Sequence, residues 1–255
     1  MLSPSSISLA ATELVNRRKV SIKSNRLDQN IRPLSVDDGL AIQTEIVKQS
    51  TDSIGGWKCL LPLNDEQVIV APILSETIGT GDNCELVVDN NMARVEPEIA
   101  FVLANDLPAK ESDYTRAEID AAIGSAHMAL ELMQDRFVSD CGVDYYERLA
   151  DCLVNQGIFL GPEINLEQAY KAANFNISFT QGDNVQKFAG KHPNLSPIKP
   201  LYWLINYMGK RGVSFKAGQV IITASYAGVV EVDFEKVTEI EYENLGKYAV
   251  TFNAK

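Results

Sequence analysis

Along the first fifty residues apolar positions recur at helical spacing. Ser6 to Arg18 forms one amphipathic segment, and Ser35-Val36-Asp37-Asp38 caps a second that carries Leu40, Ile42, Ile46 and Val47. Between them, SNRLDQNIRPLS reads as a loop. After STDSIGG the rhythm shortens to strands divided by turn residues, around Gly56 to Leu61, Val68 to Val70 and Leu86 to Val88, followed by a longer apolar run, RVEPEIAFVL, from Arg94 to Leu103. The change of period predicts a helical N-terminal arm over residues 1–55 and a β-rich body over 56–255.

Within that body Thr115-Arg116-Ala117-Glu118 is a capping box that opens a short helix through Ile123, and SAHMALELMQ then reads as a buried strand interrupted by Glu131. Further helices are predicted near Tyr145 to Val154, Leu166 to Ala173 and Pro200 to Lys210. Further strands are predicted at Gly157 to Leu160, Asn176 to Thr180, Val220 to Ile222, Val237 to Tyr242 and Tyr248 to Phe252. This order is α+β with much non-local strand pairing, and it shows no internal repeat and no low-complexity segment.

RVEPEIAFVL carries two carboxylates inside a greasy strand. Side chains alternate faces along a strand, so Glu96 and Glu98 point the same way as Ala100 and Val102, while Val95, Ile99 and Phe101 point the other way. A strand apolar on both faces is covered on both sides, where an unpaired carboxylate protonates, pairs with a cation or binds a metal. Pro97 cannot donate to a ladder and predicts an edge, a strand end or a bulge. Taken alone, the pair is equally compatible with a solvated strand end paired to Arg94 or a lysine.

Composition narrows the choice. The 255 residues are 45% hydrophobic, enough for a sizeable core, and the net charge of -11 argues against binding to nucleic acid or to an anionic membrane. Cys59, Cys84, Cys141 and Cys152 match neither a zinc knuckle nor a redox pair and read as reduced thiols. The N-terminus lacks the basic and apolar regions of a signal peptide, and no apolar run reaches the roughly 20 residues that span a bilayer. A cytoplasmic location is the expectation.

Glu131 is a third acid in a core strand, 33 residues after Glu98 and across a helical crossover. If the two strands are neighbours, Glu96, Glu98 and Glu131 converge, and three carboxylates form an all-oxygen site suited to Mg²⁺ or Mn²⁺. Zinc is disfavoured with only His127 and His192 available.

The sequence also resembles the 2-keto-4-pentenoate hydratase and 4-oxalocrotonate decarboxylase group of the fumarylacetoacetate hydrolase superfamily. The resemblance runs through LSVDDGLAIQTEIV, GGWK, RVEPEIAFVL, ALELMQDRF, KHP, YWLINYMGKRGVSFKAGQVIITAS and LGKYAVTF. It implies a mixed β-sandwich or β-roll of the superfamily's C-terminal-domain type with a helical arm, a homodimer or larger homo-oligomer, and a role in aromatic catabolism. It also implies Mg²⁺ or Mn²⁺ held by Glu96, Glu98 and Glu131, and a small keto acid chelated through its carboxylate and 2-oxo or enol oxygens. Lys58, in GGWKCLL, matches the group's active-site lysine, whose pKa partial burial would lower so that it moves protons near neutrality. Thr223 and Ser225 match positions that could donate to a substrate carboxylate, although strand-end hydroxyls also cap turns.

The chain departs from the pattern at several points. CLLPLNDEQVIVAPILSE replaces the usual small-residue loop, with Ile73 where the group carries an acid after proline; Asp65, Glu66 and Glu76 are candidate substitutes. Ala224 stands where relatives carry glycine, and DCLVNQGIF retains Asn155 without the usual acidic neighbour. His192, His127, Trp57 and Trp203 read as capping and packing residues, and Asp135 and Arg136 as an ion pair near the site or a strand closure.

The expected activity is that of a metal-dependent lyase, a hydratase or decarboxylase, acting on a small 2-keto or 2-hydroxydienoic acid. One alternative is an acylpyruvate-type C–C hydrolase, which typically needs a His-Glu pair that no histidine before residue 127 supplies. The other is a non-catalytic keto-acid-binding homologue, which the missing acid at Ile73 makes plausible.

Overall fold

The computed structural model describes residues 1–20, 22–64 and 66–255. Helices α1 (Pro4–Val20) and α2 (Val36–Ser50) come first. Ser35 caps α2 by accepting from the Asp38 amide at 3.1 Å, and Asp37 and Asp38 complement the helix dipole there. Strands β1 (Ile54–Asn64), β2 (Gln67–Leu74), β3 (Ile78–Gly79), β4 (Asn83–Leu86) and β5 (Ala93–Leu103) follow. Next come α3 (Arg116–Asp120), β6 (Ile123–Met133), α4 (Tyr145–Ala150), β7 (Asn155–Ile164), α5 (Leu166–Lys171), β8 (Asn174–Gln181), β9 (Asn184–Lys191) and α6 (Ile198–Gly209). Strands β10 (Val220–Ile222), β11 (Val230–Val232), β12 (Val237–Tyr242) and β13 (Gly246–Ala254) close the chain.

The strands form two mixed sheets, so the α+β expectation holds. The first has the order β2-β1-β10-β5-β6-β7-β3, with β11 also paired to β5; the second has the order β4-β13-β12-β8-β9. A 3₁₀ turn at Ser75–Thr77 carries β2 directly into β3, which pairs with β7 at the opposite end of the order, so the first sheet curls into a roll. Its inner face packs Ile73, Ala100, Ala129, Ile158, Val220 and Ile222 together. Its outer face, with Trp57, Phe101, Leu130 and Phe159, shares a core with Leu201 and Leu204 of α6 and with Phe179, Tyr242 and Phe252 of the second sheet.

A separate cluster holds the first two helices. Ala10, Ala11, Leu14 and Val15 of α1 pack with Ile42 and Ile46 of α2 and with Phe137 and Ala150. Among the described residues no helix is long and apolar enough to cross a membrane.

Several predicted elements differ in extent. The Thr115 capping box is present with both of its hydrogen bonds, but the helix ends at Asp120 and Ile123 already belongs to β6. The predicted strand at Leu86 to Val88 lies earlier, at Asn83–Leu86, where it pairs with β13. Strand β9 has no apolar alternation to reveal it, because its hairpin with β8 leaves most of NVQKFAGK exposed or half-exposed. The helix predicted from Tyr145 to Val154 stops at Ala150, and Cys152–Val154 turn the other way.

Pro97 corrects a further expectation: it marks neither an edge nor a bulge. β5 is a central strand, in unbroken register with β6 from Val95 to Val102. On its other flank β11 pairs with Ala93 to Val95 and β10 with Ala100 to Val102, leaving a gap between them. Pro97 sits in that gap, where a missing N–H costs no ladder bond, and its carbonyl accepts from the Tyr226 amide at 3.0 Å.

Roll closure depends on close backbone approach at the β3–β7 seam. A Cβ built on Gly157 would lie 2.2 Å from the Thr77 carbonyl oxygen, a contact with rigid backbone. Gly157→Ala is therefore expected to destabilise the fold by about 2–3 kcal/mol in urea unfolding. A cost under about 0.5 kcal/mol would show that the seam does not hold the roll.

Candidate metal centre

The antiparallel register of β5 and β6 sets Glu96 directly opposite Glu131 and Glu98 opposite Ala129. With Glu96 and Glu98 on one face at the i, i+2 spacing, the three carboxylates meet, each offering an oxygen within 4.8 Å of the others. This is the one cluster of that kind among the described residues. Glu98 and Glu131 are each only 1% exposed, and Glu96 is half-buried.

Lys58 reaches the same point from β1. Its Nζ lies 2.5 Å from Glu131 Oε1 and donates to the Leu153 carbonyl at 3.2 Å. The same Glu131 oxygen accepts from Asn155 Nδ2 at 2.9 Å, while Glu98 Oε2 accepts from the Ala224 amide at 2.6 Å. In the sequence Asn155 stands out only as a position that the family pattern retains. Its contact to Glu131 arises from the β6–β7 register and has no sequence signal beyond the residue itself.

The electrostatics of the centre follow from too many carboxylates around one ammonium. Burial and the neighbouring Glu131 push Glu96 up to about 7, and burial with Glu131 and Glu96 carries Glu98 well above the carboxylate range despite the Ala224 amide. For Lys58 burial favours the neutral amine, but the charges of Glu131, Glu96 and Glu98 outweigh it and hold the pKa above the ordinary lysine value. That reverses the expected lowering. Buried carboxylates that repel one another this strongly are a donor set that a hard divalent cation would satisfy, and all three ligands are oxygen. The residues therefore fit Mg²⁺ or Mn²⁺.

Neither histidine is free to join a metal. His192 is buried and donates from Nε2 to the Thr223 carbonyl at 2.8 Å while Nδ1 accepts from the Asn194 amide, which leaves the ring neutral. His127 lies 3.0 Å from both the Gly161 carbonyl and the Ser125 hydroxyl. His192 instead anchors the segment that delivers the Ala224 amide to Glu98.

The two predicted substrate-binding hydroxyls part company. Thr223 Oγ1 is buried with no hydrogen-bond partner, an orphaned polar atom next in sequence to Ala224. Ser225 Oγ donates to the Gly228 carbonyl at 3.0 Å and accepts from the Ala227 amide at 3.3 Å, so it caps its own turn. Ala224 between them has φ 119°, a conformation that favours glycine.

Ile73 lies on the inner face of the roll, buried among Ala100, Val220 and Ile222, so no acid faces the centre from that position. Asp65 lies outside the described residues; Glu66 and Glu76 are exposed. Trp57 packs on Phe215 and Trp203 stacks on Tyr207, as packing residues should. Arg136 is fully buried against Asp151 at 2.8 Å, whereas Asp135 pairs with Arg148 at 3.1 Å.

Residues Cys152, Leu153 and Val154 have φ of 56°, 52° and 60°, three successive left-handed residues with no glycine among them. Each costs about 1–3 kcal/mol unless its surroundings enforce it, and such strain gathers at functional sites. It is this turn that aims the Leu153 carbonyl at Lys58.

No family model matches the chain. The 2-keto-4-pentenoate hydratase of Paraburkholderia phymatum is 25% identical over 161 residues, 63% of this chain, and the 2-hydroxyhexa-2,4-dienoate hydratase of Comamonas testosteroni is 27% identical over 162 residues, 62% of this chain. Each match spans 60% of the relative's own length. Among solved structures, 4-oxalocrotonate decarboxylase from Pseudomonas putida G7, complexed with magnesium and adipate, superposes with a TM-score of 0.80 at 17% identity, covering 99% of both chains. The resemblance read from the sequence is thus borne out in its relatives, and the likeness to the decarboxylase shows a shared fold.

The raised carboxylates make stability depend on pH. A carboxyl whose folded pKa lies above its unfolded value binds more protons when folded, so its contribution is full below about 4.5 and is lost as pH rises through about 7 for Glu96. In the presence of a chelator, the unfolding free energy is expected to fall by about 2 kcal/mol between about pH 5 and 8, and Glu96→Gln to reduce that slope. A flat or rising profile over this window, measured by urea titration, would contradict the assigned electrostatics.

Proposed function

We propose that the chain is a Mg²⁺- or Mn²⁺-dependent lyase, a hydratase or decarboxylase, acting on a small 2-keto or 2-hydroxydienoic acid. The observation that carries this reading is the convergence of three strand carboxylates, two of them fully buried, with Lys58 hydrogen-bonded to Glu131. The names of the hydratase relatives, and the magnesium complex of the decarboxylase that shares the fold, point the same way.

Glu96, Glu98 and Glu131 would hold the cation, which when bound supplies Lewis acidity and a counter-charge for negative charge developing at the substrate oxygens. The remaining roles belong to the chain's own groups. Lys58 Nζ carries the mobile proton, held in place by Glu131 and by the Leu153 carbonyl. Glu98 is kept in orientation by the Ala224 amide and Glu131 by Asn155. Thr223 Oγ1, otherwise without a partner, donates to the substrate carboxylate. The aliphatic inner face of the roll limits the access of water behind the centre. Glu96 is the most exposed of the three acids and marks the side from which substrate enters.

A second reading, a keto-acid-binding protein without turnover, draws support from Ile73, which places an aliphatic side chain where the hydratase group carries an acid. The hydrolase reading has no such support, because both histidines are already engaged by backbone or hydroxyl partners.

Calorimetric titration of oxalate, which mimics the chelating end of a keto acid, tests the site. Binding is expected to require Mg²⁺ and to vanish in Glu98→Ala. Lys58→Met should still bind oxalate within about threefold while turnover of a 2-hydroxydienoate falls by about 10²–10⁴. Oxalate binding that ignores the metal would refute the site, and an absence of turnover in the metal-loaded wild type would favour the binding protein.

A further inference from the structure

The turn from residue 151 to residue 155 is bracketed twice. Arg136, just after β6, donates to the carbonyls of Asp151 at 2.9 Å and Asn155 at 3.0 Å. Arg18, in the last turn of α1, donates to the same two carbonyls at 3.2 Å and 3.3 Å. One carboxylate balances both guanidiniums, since Asp151 accepts from Arg136 Nε at 2.8 Å and lies 3.7 Å from Arg18. Arg18 spans the two carbonyls with Nη1 and Nη2, a fork that a lysine point charge cannot reproduce, while Arg136 donates to both from Nη2 and turns its Nε to the Asp151 carboxylate, so the distance between the ends of the turn is fixed from two sides.

Between those carbonyls lie the left-handed Cys152, Leu153 and Val154. Nothing in their residue types favours that conformation, and a β-branched valine opposes it. The turn delivers two groups inward: the Leu153 carbonyl to Lys58 Nζ at 3.2 Å and, two residues on, the Asn155 side-chain Nδ2 to Glu131 Oε1 at 2.9 Å. Lys58 approaches that same Glu131 oxygen.

We propose that Arg18, Arg136 and Asp151 form a positioning clamp that holds the strained turn so that Leu153 and Asn155 orient Lys58 and Glu131. Arg18 makes the N-terminal arm part of the centre's support. The inference rests on the metal-centre reading, and it adds residues that touch neither metal nor substrate.

The test is a double-mutant cycle read by the affinity for Mn²⁺ alone, measured from the paramagnetic resonance signal of the free ion. Arg18→Gln loosens the turn from the arm side, and its partial exposure makes it gentler than a change at buried Arg136. Asn155→Ala removes the turn's hold on Glu131. Each single variant is expected to weaken Mn²⁺ binding about tenfold, and the double variant to lose no more than the weaker binder of the two. Hydrogen exchange should be faster for amides 152–156 in Arg18→Gln. If that variant does not fold, Arg18→Lys, which keeps the charge and loses the fork, takes its place in the cycle. Wild-type affinity in the Arg18 variant, or losses that multiply in the double variant, would overturn the clamp while leaving the metal centre standing. A wild type that binds no Mn²⁺ would overturn the metal centre and the clamp with it.

Discussion

Burial of carboxylates beside one another, two of them fully and Glu96 partly, is the constraint around which this protein is arranged. A carboxylate in an aliphatic surrounding must be protonated, paired or bound to a cation, and a single ammonium cannot compensate three. Glu96 and Glu98 respond by holding their protons, and Lys58 by keeping its own more tightly than an exposed lysine would. Such an arrangement is costly as mere architecture. On the function proposed above it gains meaning as a preorganised cradle for a divalent cation, whose charge would replace the protons.

The fold supplies what that cradle requires. Antiparallel pairing of β5 with β6 places Glu96 against Glu131, the β6–β7 register brings Asn155 to Glu131, and curling of the sheet brings β1 round so that Lys58 reaches the same residue. The gap beside Pro97 leaves room for the loop after β10 to lay its Ala224 amide on Glu98. Local strain is concentrated at the same place: Ala224 and residues 152–154 occupy positive φ, and each lies within hydrogen-bond reach of the centre or next to a residue that is. Strain of this kind persists only where the surroundings over-determine it. His192 does so on one side, and Arg136 with Asp151 on the other.

The strand acids were legible in the chain because a two-residue period needs only a local pattern, and the same holds for the capped helices at Ser35 and Thr115. Register was not legible: that Glu131 faces Glu96 rather than Glu98 depends on the 104–122 connection, which no periodicity specifies. Pro97 misled because proline's local rule says nothing about a gap between two partner strands. The left-handed turn had no glycine to announce it, so a run from Tyr145 read as one helix. GGWK points to Lys58 as a site residue, but its electrostatics depend on the sum of three neighbours against burial, a balance that only coordinates give. Strand β9 stayed hidden because its exposed face carries no apolar alternation.

Anomalous X-ray scattering from crystals soaked in Mn²⁺ tests the central claim most directly, because it locates the ion without reference to any activity. The account predicts one strong peak bounded by carboxylate oxygens of Glu96, Glu98 and Glu131, at about 2.1–2.3 Å from each ligand. A peak elsewhere with this cluster vacant, or carboxylates that remain paired to Lys58 at saturating Mn²⁺, would contradict it.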